Sequence, residues 1–176
     1  MGCCAGNNVA TGEIMAGHLR FLNPKTIAPP PGYSYVVETS GAVRTIYLAG
    51  QLGVDMDNKF VGEPGDFRAQ CIKAHDNLTL ALEAVGATWA DVVKINNFLV
   101  DIADNIAVYR EIRGLYLNAK APPVSTTIGV PDLARPGGLF EIEAIAVLPA
   151  KPASRAAAKA KAPVKSSKAK AKKKKR

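Results

Sequence analysis

Residues 140–147 read Phe-Glu-Ile-Glu-Ala-Ile-Ala-Val, and this stretch decides the fold that we predict for the chain. Its glutamates alternate with apolar residues, which is the pattern of a strand whose two faces meet different surroundings. Side chains on one face of a strand recur about every 7 Å, so Glu141 and Glu143 should project together. Such a pair could transfer protons if it is partly desolvated, or it could be a solvated face with an apolar back.

Upstream of this stretch, short runs rich in β-branched and aromatic residues predict further strands. Ser40-Gly41 provides turn residues between the first two and predicts a hairpin there. The predicted strands are 33–38, 44–49, 92–100, 125–130 and 140–147, with a short additional one at 60–61. With two helices between them, the order is β-β-(β)-α-β-α-β-β. We therefore predict an α+β fold, a mixed sheet of about six strands with both helices on one face.

Both helices are predicted from apolar residues spaced three or four apart. The first begins after Asp66, which can cap its N-terminus, and ends at Gly86, which can adopt the left-handed conformation. Its apolar residues are Phe67, Cys71, Ala74, Leu78, Leu82 and Val85. The second helix begins after Asp104 or Asn105. Its apolar residues are Ile106, Tyr109, Ile112, Leu115 and Tyr116.

The two ends of the chain differ from its middle. Residues 1 to about 27 show no sustained period and are predicted to form a loose arm. Residues 151–176 contain twelve of the 23 basic side chains and no acidic one, which leaves residues 1–150 with a net charge of −4. The only large apolar residue of this tail is Val164, so the tail is predicted to be disordered. An acidic domain excludes a fold built around a basic nucleic-acid groove.

Several sites that sequence patterns commonly reveal are absent. The chain has no phosphate-binding loop, no dinucleotide glycine fingerprint and no paired-cysteine zinc spacing. His18 and His75 are far apart in sequence, and we interpret His75 as a solvated residue on the polar side of the first helix. We therefore predict no metal and no cofactor. The three cysteines, Cys3, Cys4 and Cys71, do not form a disulfide framework and favour an intracellular, cytoplasmic protein.

A second polar group is Ser125-Thr126-Thr127, directly after Pro122-Pro123. In a strand, Ser125 and Thr127 share one face and offer two hydroxyl groups. Hydroxyl-rich strands are common without a function, so the pattern alone does not assign one.

Six short segments carry a resemblance to a known family. They are Gly32-Tyr33-Ser34-Tyr35, Tyr47-Leu48-Ala49-Gly50-Gln51, Phe67-Arg68-Ala69-Gln70, Asn77-Leu78, Val92-Val93-Lys94 and Glu141 to Val147. In this order they resemble the reactive-intermediate deaminase family (RidA or YjgF-like, labelled "endoribonuclease L-PSP"). The resemblance runs from about Leu19 to Val147. We therefore divide the chain into an arm at 1–18, a domain at 19–149 and a basic tail at 150–176.

The resemblance implies a chorismate-mutase-like protomer that assembles as a homotrimer with ligand clefts between subunits. It also implies a reaction in which water hydrolyses a reactive imine or enamine acid to a keto acid and ammonia. In typical members an arginine shortly after a proline binds the substrate carboxylate through two hydrogen bonds.

Six positions of this chain correspond to the family's site. By this resemblance Glu141 orients the water, and Gly50 provides backbone groups beside the substrate. The remaining substrate-binding positions are Tyr35, Tyr109, Ser125 and Thr127. Tyr109 replaces an asparagine and Thr127 a cysteine. Most notably, Ser125 occupies the position of the carboxylate-binding arginine.

The replacement of that arginine by Ser125 leaves three functions open. Loss of a buried bidentate pair typically weakens binding by about 2–5 kcal/mol, unless Arg113 or Arg135 supplies a guanidinium from elsewhere. The first possibility is an enzyme that hydrolyses imines. The second is a trimer that senses a small ligand without turnover. Endoribonuclease activity, the third possibility, rests on the family's label alone.

Both termini carry possible localisation signals. Met1-Gly2-Cys3-Cys4 resembles an acylation site at Gly2, Cys3 and Cys4, although Gly6 stands where such sites usually have Ser or Thr. An unmodified arm is the alternative. The lysines of 151–176 could contact nucleic acid or anionic membrane, act as a nuclear address, or only increase solubility.

Overall fold

The computed structural model of the chain describes residues 11–41 and 43–150. The predicted acylation site and basic tail lie outside the described residues. The elements in chain order are β1 (Thr11–Ala16), β2 (Leu19–Pro24), β3 (Val36–Thr39), β4 (Val43–Leu52), α1 (Phe67–Ala84), a 3-10 turn (Trp89–Asp91), β5 (Val92–Leu99), α2 (Ile102–Tyr116), β6 (Val124–Gly129) and β7 (Phe140–Pro149).

The strand predicted at 140–147 lies inside a four-stranded mixed sheet with the order β4-β7-β5-β6. It is β7, antiparallel to both β4 and β5, whereas β5 and β6 are parallel. Ile142, Ala144 and Ala146 are buried on the face that both helices cover. The α+β fold with two helices on one face is therefore confirmed.

Helix α1 follows the sequence prediction closely. The Asp66 carboxylate accepts a hydrogen bond from the Ala69 N–H at 2.9 Å. At the other end Gly86 has φ +74°, its N–H donates to Glu83 O, and the Ala87 N–H donates to Leu82 O. This pair of hydrogen bonds is the Schellman motif that a glycine at this position favours.

Helix α2 begins earlier than the sequence predicts. Its N-terminal boundary is Asp101, which has φ +48° and makes no capping hydrogen bond, so capping by Asp104 or Asn105 is wrong. Residues after the β5 strand turn at once into the helix because Asp101 takes the left-handed conformation. Leu115, one of the apolar residues from which this helix was predicted, is 76% exposed, whereas Tyr109 and Ile112 are buried.

The loose arm predicted for residues 1 to about 27 is wrong where the structure describes it. Strands β1, β2 and β3 form a separate antiparallel sheet. Leu19 and Phe21 pack with Val93 and Val147 on the face of the mixed sheet opposite the helices. Two buried residues are too few to produce a clear alternation, and this is why the pattern was not visible in sequence.

The predicted hairpin at Ser40-Gly41 is also wrong. Strand β3 pairs with β2, and β4 pairs with β7, so the two strands belong to different sheets. The described chain thus has seven strands in two sheets, where about six in one sheet were expected. Strand partners are chosen by contacts between distant segments, which a local turn signal does not contain.

His75 is completely buried, which corrects its interpretation as a solvated residue. Its ring stacks on Phe140 and Tyr116 with centroid distances of 5.3 and 4.7 Å. Nδ1 lies 2.8 Å from the Cys71 carbonyl oxygen. Burial lowers the pKa of His75 to about 4, so the ring is neutral at physiological pH and acts as a core aromatic.

Candidate functional site

A cavity of about 340 Å³ lies between helix α2, strand β6 and the segment before β3. We call it the α2–β6 cavity. Its lining residues are Pro31, Tyr33, Ile106, Tyr109, Arg110, Arg113, Ser125, Thr126 and Thr127. It therefore brings together three of the six predicted site residues, Tyr109, Ser125 and Thr127.

The segment before β3 reaches this cavity because Ser34 fixes it to the start of β6. The buried Ser34 hydroxyl donates to Pro122 O at 2.6 Å, and its N–H donates to Pro123 O at 3.2 Å. Tyr33, the preceding residue, consequently lines the cavity. The prolines that end the helical region thus also act as acceptors that position one wall of the cavity.

Ser125 and Thr127 present their hydroxyls on the helix-facing side of β6. The buried Asn97 of β5 lies beside them: its amide donates to Thr126 O at 3.0 Å and lies 3.3 Å from Ser125 Oγ and 3.5 Å from Thr127 Oγ1. An acceptor role toward Asn97 leaves each hydroxyl proton available to a ligand.

Tyr109 contributes a buried hydroxyl to the same place. The residue is 1% exposed, and among the described residues its hydroxyl has no hydrogen-bond partner. Burial raises the pKa of Tyr109, while nearby Thr127, Arg113 and Ser125 lower it in part. The phenol is therefore protonated at neutral pH and can donate a hydrogen bond into the cavity.

Arg113 lies one turn beyond Tyr109 on α2 and lines the same cavity. Its guanidinium carbon is 5.5 Å from the centroid of the Tyr109 ring, a cation–π arrangement. Gly32 lies against it: a Cβ at this glycine would be 2.8 Å from Arg113 Nη2. Arg135 is the other arginine that could supply a guanidinium according to the sequence. It instead binds Asn58 and lies over the Phe60 ring.

Glu141 lies on the opposite face of the sheet from Ser125 and Thr127. In register, Glu141 pairs with Phe98, and Phe98 pairs with Ile128, so these three side chains share one face. Asn97 pairs with Thr127 and faces the helices. Because neighbouring residues of a strand point to opposite faces, Glu141 of the same chain cannot enter the α2–β6 cavity.

Gly50 is in contact with Glu141. It lies at an irregularity in the pairing of β4 with β7, between Leu48 and Gln51. A Cβ at Gly50 would be 2.8 Å from Glu141 Cδ and would overlap Oε1. The absence of a side chain at Gly50 thus allows the Glu141 carboxylate to lie directly on the backbone.

A second cavity, of about 380 Å³, runs along the face that carries the glutamates. Glu143 Oε1 accepts a hydrogen bond from Asn96 Nδ2 at 2.6 Å there. We call this surface the open face; it includes Tyr47, Asn96, Ile128, Glu141 and Glu143. On this face Tyr47 is 79% exposed and Ile128 46% exposed.

Tyr35 does not line the α2–β6 cavity. Its hydroxyl donates to Ala28 O at 2.7 Å and its N–H donates to Asn23 Oδ1 at 2.9 Å. Tyr33 lines the cavity instead and meets Tyr35 edge-to-face at 5.6 Å. The six predicted site residues therefore fall into two groups, one around Tyr109 and one around Glu141, with Tyr35 in neither.

Sequence reasoning missed Asn97 and did not locate Arg113. Asn97 occupies the inward position between Ile95 and Leu99, and a polar residue in such an apolar row is a signal for a buried polar contact. Arg113 follows Tyr109 by four positions, and this spacing places both on one side of a helix. Neither signal identifies the strand or segment on the other side of the cavity.

Neither α1 nor α2, the helices of the described chain, is both long and apolar enough to cross a membrane. Among the described residues there is also no cluster of three or more side chains that could hold a metal ion.

Comparison with known proteins identifies relatives over most of the chain. Residues 24–148 match the family model for endoribonuclease L-PSP. The 2-iminobutanoate/2-iminopropanoate deaminase of Dermatophagoides farinae is 33% identical over 129 residues, which cover 72% of this chain and 91% of that protein. The goat (Capra hircus) protein of the same name is 37% identical over 105 residues, 59% of this chain and 73% of that protein.

Solved structures of related proteins have the same fold. The Rid-family protein YyfB of Yersinia pestis has a TM-score of 0.66 at 38% identity, covering 74% of this chain and 99% of that one. RidA from an Antarctic Psychrobacter has a TM-score of 0.54 at 31% identity, covering 69% of this chain and 92% of that one.

Proposed function

Because the chain belongs to the endoribonuclease L-PSP family, which includes the RidA and YjgF proteins, we propose that it hydrolyses reactive imine or enamine metabolites. The products are a keto compound and ammonia. The observation that carries this proposal is the α2–β6 cavity, which brings together Tyr109, Ser125 and Thr127, three of the residues that the resemblance predicts to bind substrate.

The chemistry requires few protein groups. Water adds to the imine carbon, the resulting amino alcohol transfers a proton to nitrogen, and ammonia leaves as the carbonyl forms. A carboxylate that orients the water and accepts its proton can then return that proton to the leaving nitrogen. We assign this role to Glu141, while the hydroxyls of Tyr109, Ser125 and Thr127 bind the substrate.

Glu141 and the α2–β6 cavity must come from two different subunits for this reaction. They lie on opposite faces of one sheet, so a second copy of the chain has to bring its own Glu141 to the cavity of the first. The exposed apolar side chains of the open face support such an association. We propose a homotrimer with clefts between its subunits, in which Gly50 lies beside Glu141 and Tyr35, which is in neither group of a single chain, lines the cleft.

The test is hydrolysis of 2-iminobutanoate generated in situ, followed by ammonia or keto-acid detection. We expect activity in the wild type and a loss of about 10²–10⁴-fold in Glu141→Gln, because the water loses its general base. Glu83→Gln, which removes an exposed carboxylate on α1, is the matched control. Activity that appears only in Ser125→Arg would mean that the natural chain has lost this reaction.

A second candidate is a trimer that binds a small ligand without turnover. The observation that favours it is Ser125, a short neutral side chain at the position of the family's carboxylate-binding arginine. Saturable binding of 2-oxobutanoate by a wild-type protein that does not hydrolyse the imine would establish this function in place of the first.

We further propose that residues 151–176 contact nucleic acid or anionic lipid without sequence preference, since twelve positive charges occur there without aromatic residues. Binding should weaken steeply as salt increases and should disappear when 151–176 are deleted.

The location of the protein stays a prediction: cytoplasmic, or alternatively nuclear or membrane-associated. Cell fractionation would test it. Acylation at Gly2, Cys3 and Cys4 also stays a prediction, and mass spectrometry would test it.

A further inference from the structure

We propose that Arg113 binds the carboxylate of the ligand in the α2–β6 cavity, and so replaces from helix α2 the cation that Ser125 does not provide on strand β6. This inference rests on the proposed function in that it concerns the same cavity. The ligand class is the small acid of the proposed function; the new element is the source of the cation, a residue of helix α2 in place of one on strand β6.

The charge of the cavity is the first argument. Two guanidinium groups, those of Arg110 and Arg113, line it, and none of its nine lining residues is acidic. Within residues 11–41 and 43–150, Arg113 forms no salt bridge with a carboxylate, whereas Arg68 binds Glu111 at 2.7 Å. A partly buried cation without a counterion is unfavourable, so an anionic ligand would restore the missing partner.

The way in which Arg113 is held is the second argument. Its guanidinium lies over the Tyr109 ring, with 5.5 Å between its carbon and the ring centroid. On another side it lies against Gly32, whose φ of +83° and lack of a side chain leave room for Nη2. A guanidinium placed in this way needs little reordering when it binds the two oxygens of a carboxylate.

The hydroxyl groups beside Arg113 are the third argument. The buried Tyr109 hydroxyl has no hydrogen-bond partner among the described residues, and such a group is costly unless a ligand or water satisfies it. The hydroxyls of Ser125 and Thr127 lie beside the Asn97 amide and line the same cavity as Tyr109. Together they provide neutral donors for a carbonyl or imine next to the carboxylate bound by Arg113.

Arg110 lines the same cavity but fits this role less well. It is exposed, whereas Arg113 is half-buried, and a carboxylate bound by an exposed cation is screened by water and salt. The proposal therefore predicts a clear order of effects, with Arg113 before Arg110.

The experiment measures binding of 2-oxobutanoate and its neutral amide by calorimetry, using the full chain. We expect the wild type to bind the acid at least about 30-fold more tightly than the amide, and Arg113→Met to lose at least about 30-fold for the acid only. Arg68→Met, a surface arginine outside the cavity, is the matched control and should bind like the wild type. Arg110→Met should lose less than Arg113→Met.

Equal affinity for acid and amide in the wild type would overturn the proposal, as would unchanged acid binding in Arg113→Met. A loss in Arg110→Met that equals or exceeds the Arg113→Met loss would overturn it too. If Arg113→Met does not fold, Arg113→Lys decides. It keeps the positive charge but cannot form two parallel hydrogen bonds to one carboxylate, and we expect its affinity for the acid to decrease about tenfold. Wild-type affinity in Arg113→Lys would contradict a bidentate contact.

Imine hydrolysis separates this inference from the proposed function. If the wild type binds the acid through Arg113 but does not hydrolyse 2-iminobutanoate, the inference holds and the enzymatic proposal fails. If the wild type is active, and Arg113→Met has the same KM and kcat, the enzymatic proposal holds and the inference fails. A higher KM with a nearly unchanged kcat in Arg113→Met would support both.

Discussion

At the scale of single residues, the molecule uses burial to give similar side chains different roles. Tyr109 and His75 are both fully buried, but the first keeps an unpartnered hydroxyl beside a cavity, and the second is stacked inside the core. Ser125 and Glu141, only 16 positions apart, face opposite sides of one sheet. Residue type alone therefore does not separate a core residue from a site residue in this chain.

His75 should make the stability of the protein depend on pH. Burial lowers its pKa from 6.5 in the unfolded chain to about 4, against smaller raising effects of the Cys71 carbonyl and Asp76. On acidification the unfolded state therefore binds a proton at a higher pH than the folded state does. The contribution of neutral His75 to the free energy of unfolding is present above pH 6.5 and is lost between pH 6.5 and 4, by at most about 3 kcal/mol.

Urea denaturation between pH 4.5 and 7.5 measures this effect. We expect the free energy of unfolding of the wild type to decrease on acidification, and His75→Gln to show a smaller slope, since it does not titrate. Parallel pH profiles for the two proteins would show that another group is responsible.

At the scale of elements, helix α1 has the strongest local signals, and its ends are where they act. Asp66 satisfies the Ala69 N–H at the start, and the Schellman motif around Gly86 satisfies two carbonyls at the end. Helix α2 has no such cap, since Asp101 makes no side-chain bond there. Tyr109 and Ile112 of this helix are buried in the main core cluster.

Asp66→Ala should destabilise the protein by about 0.5–2 kcal/mol, because it leaves a helix N–H without its acceptor. Chemical denaturation monitored by circular dichroism provides the measurement. Asp66→Asn, which keeps an oxygen acceptor, is the control and should recover most of the loss. An alanine variant as stable as the wild type would mean that water replaces the cap without penalty.

At the scale of the whole molecule, the open face is a sheet surface that the helices do not cover. It carries exposed Tyr47 and Ile128 beside the polar pair of Asn96 and Glu143. Under the proposed function, one chain provides two incomplete halves of a site, and association of copies would complete them. Oligomeric state and activity should therefore change together.

Tyr47→Glu should dissociate the proposed trimer, because it places a charge in the apolar part of the open face. Sedimentation equilibrium should give about three times the chain mass of 18.6 kDa for the wild type and a mass near 18.6 kDa for the variant. Met56→Glu, which changes a 99% exposed loop residue, should stay trimeric. A monomeric wild type would contradict the cleft between subunits.

The sequence by itself determined the elements whose signals are local. The alternation at 140–147, the apolar spacing of α1 and the roles of Asp66 and Gly86 all depend on neighbours within a few residues, and each was predicted correctly. The pairing of β3, the strands β1 and β2, and the burial of His75 were not predicted. Each of these depends on a partner tens of residues away, such as β2, Val147 or Phe140.

The same distinction holds for the site. The resemblance to a family predicted Tyr109, Ser125 and Thr127 as candidate site residues, whereas only the tertiary structure placed Arg113 next to them and Glu141 on the other face. Secondary structure sets which side of a strand or helix a residue occupies, and this can be counted along the chain. Which side faces which neighbour is decided when distant segments pack, and no short stretch of sequence contains that information.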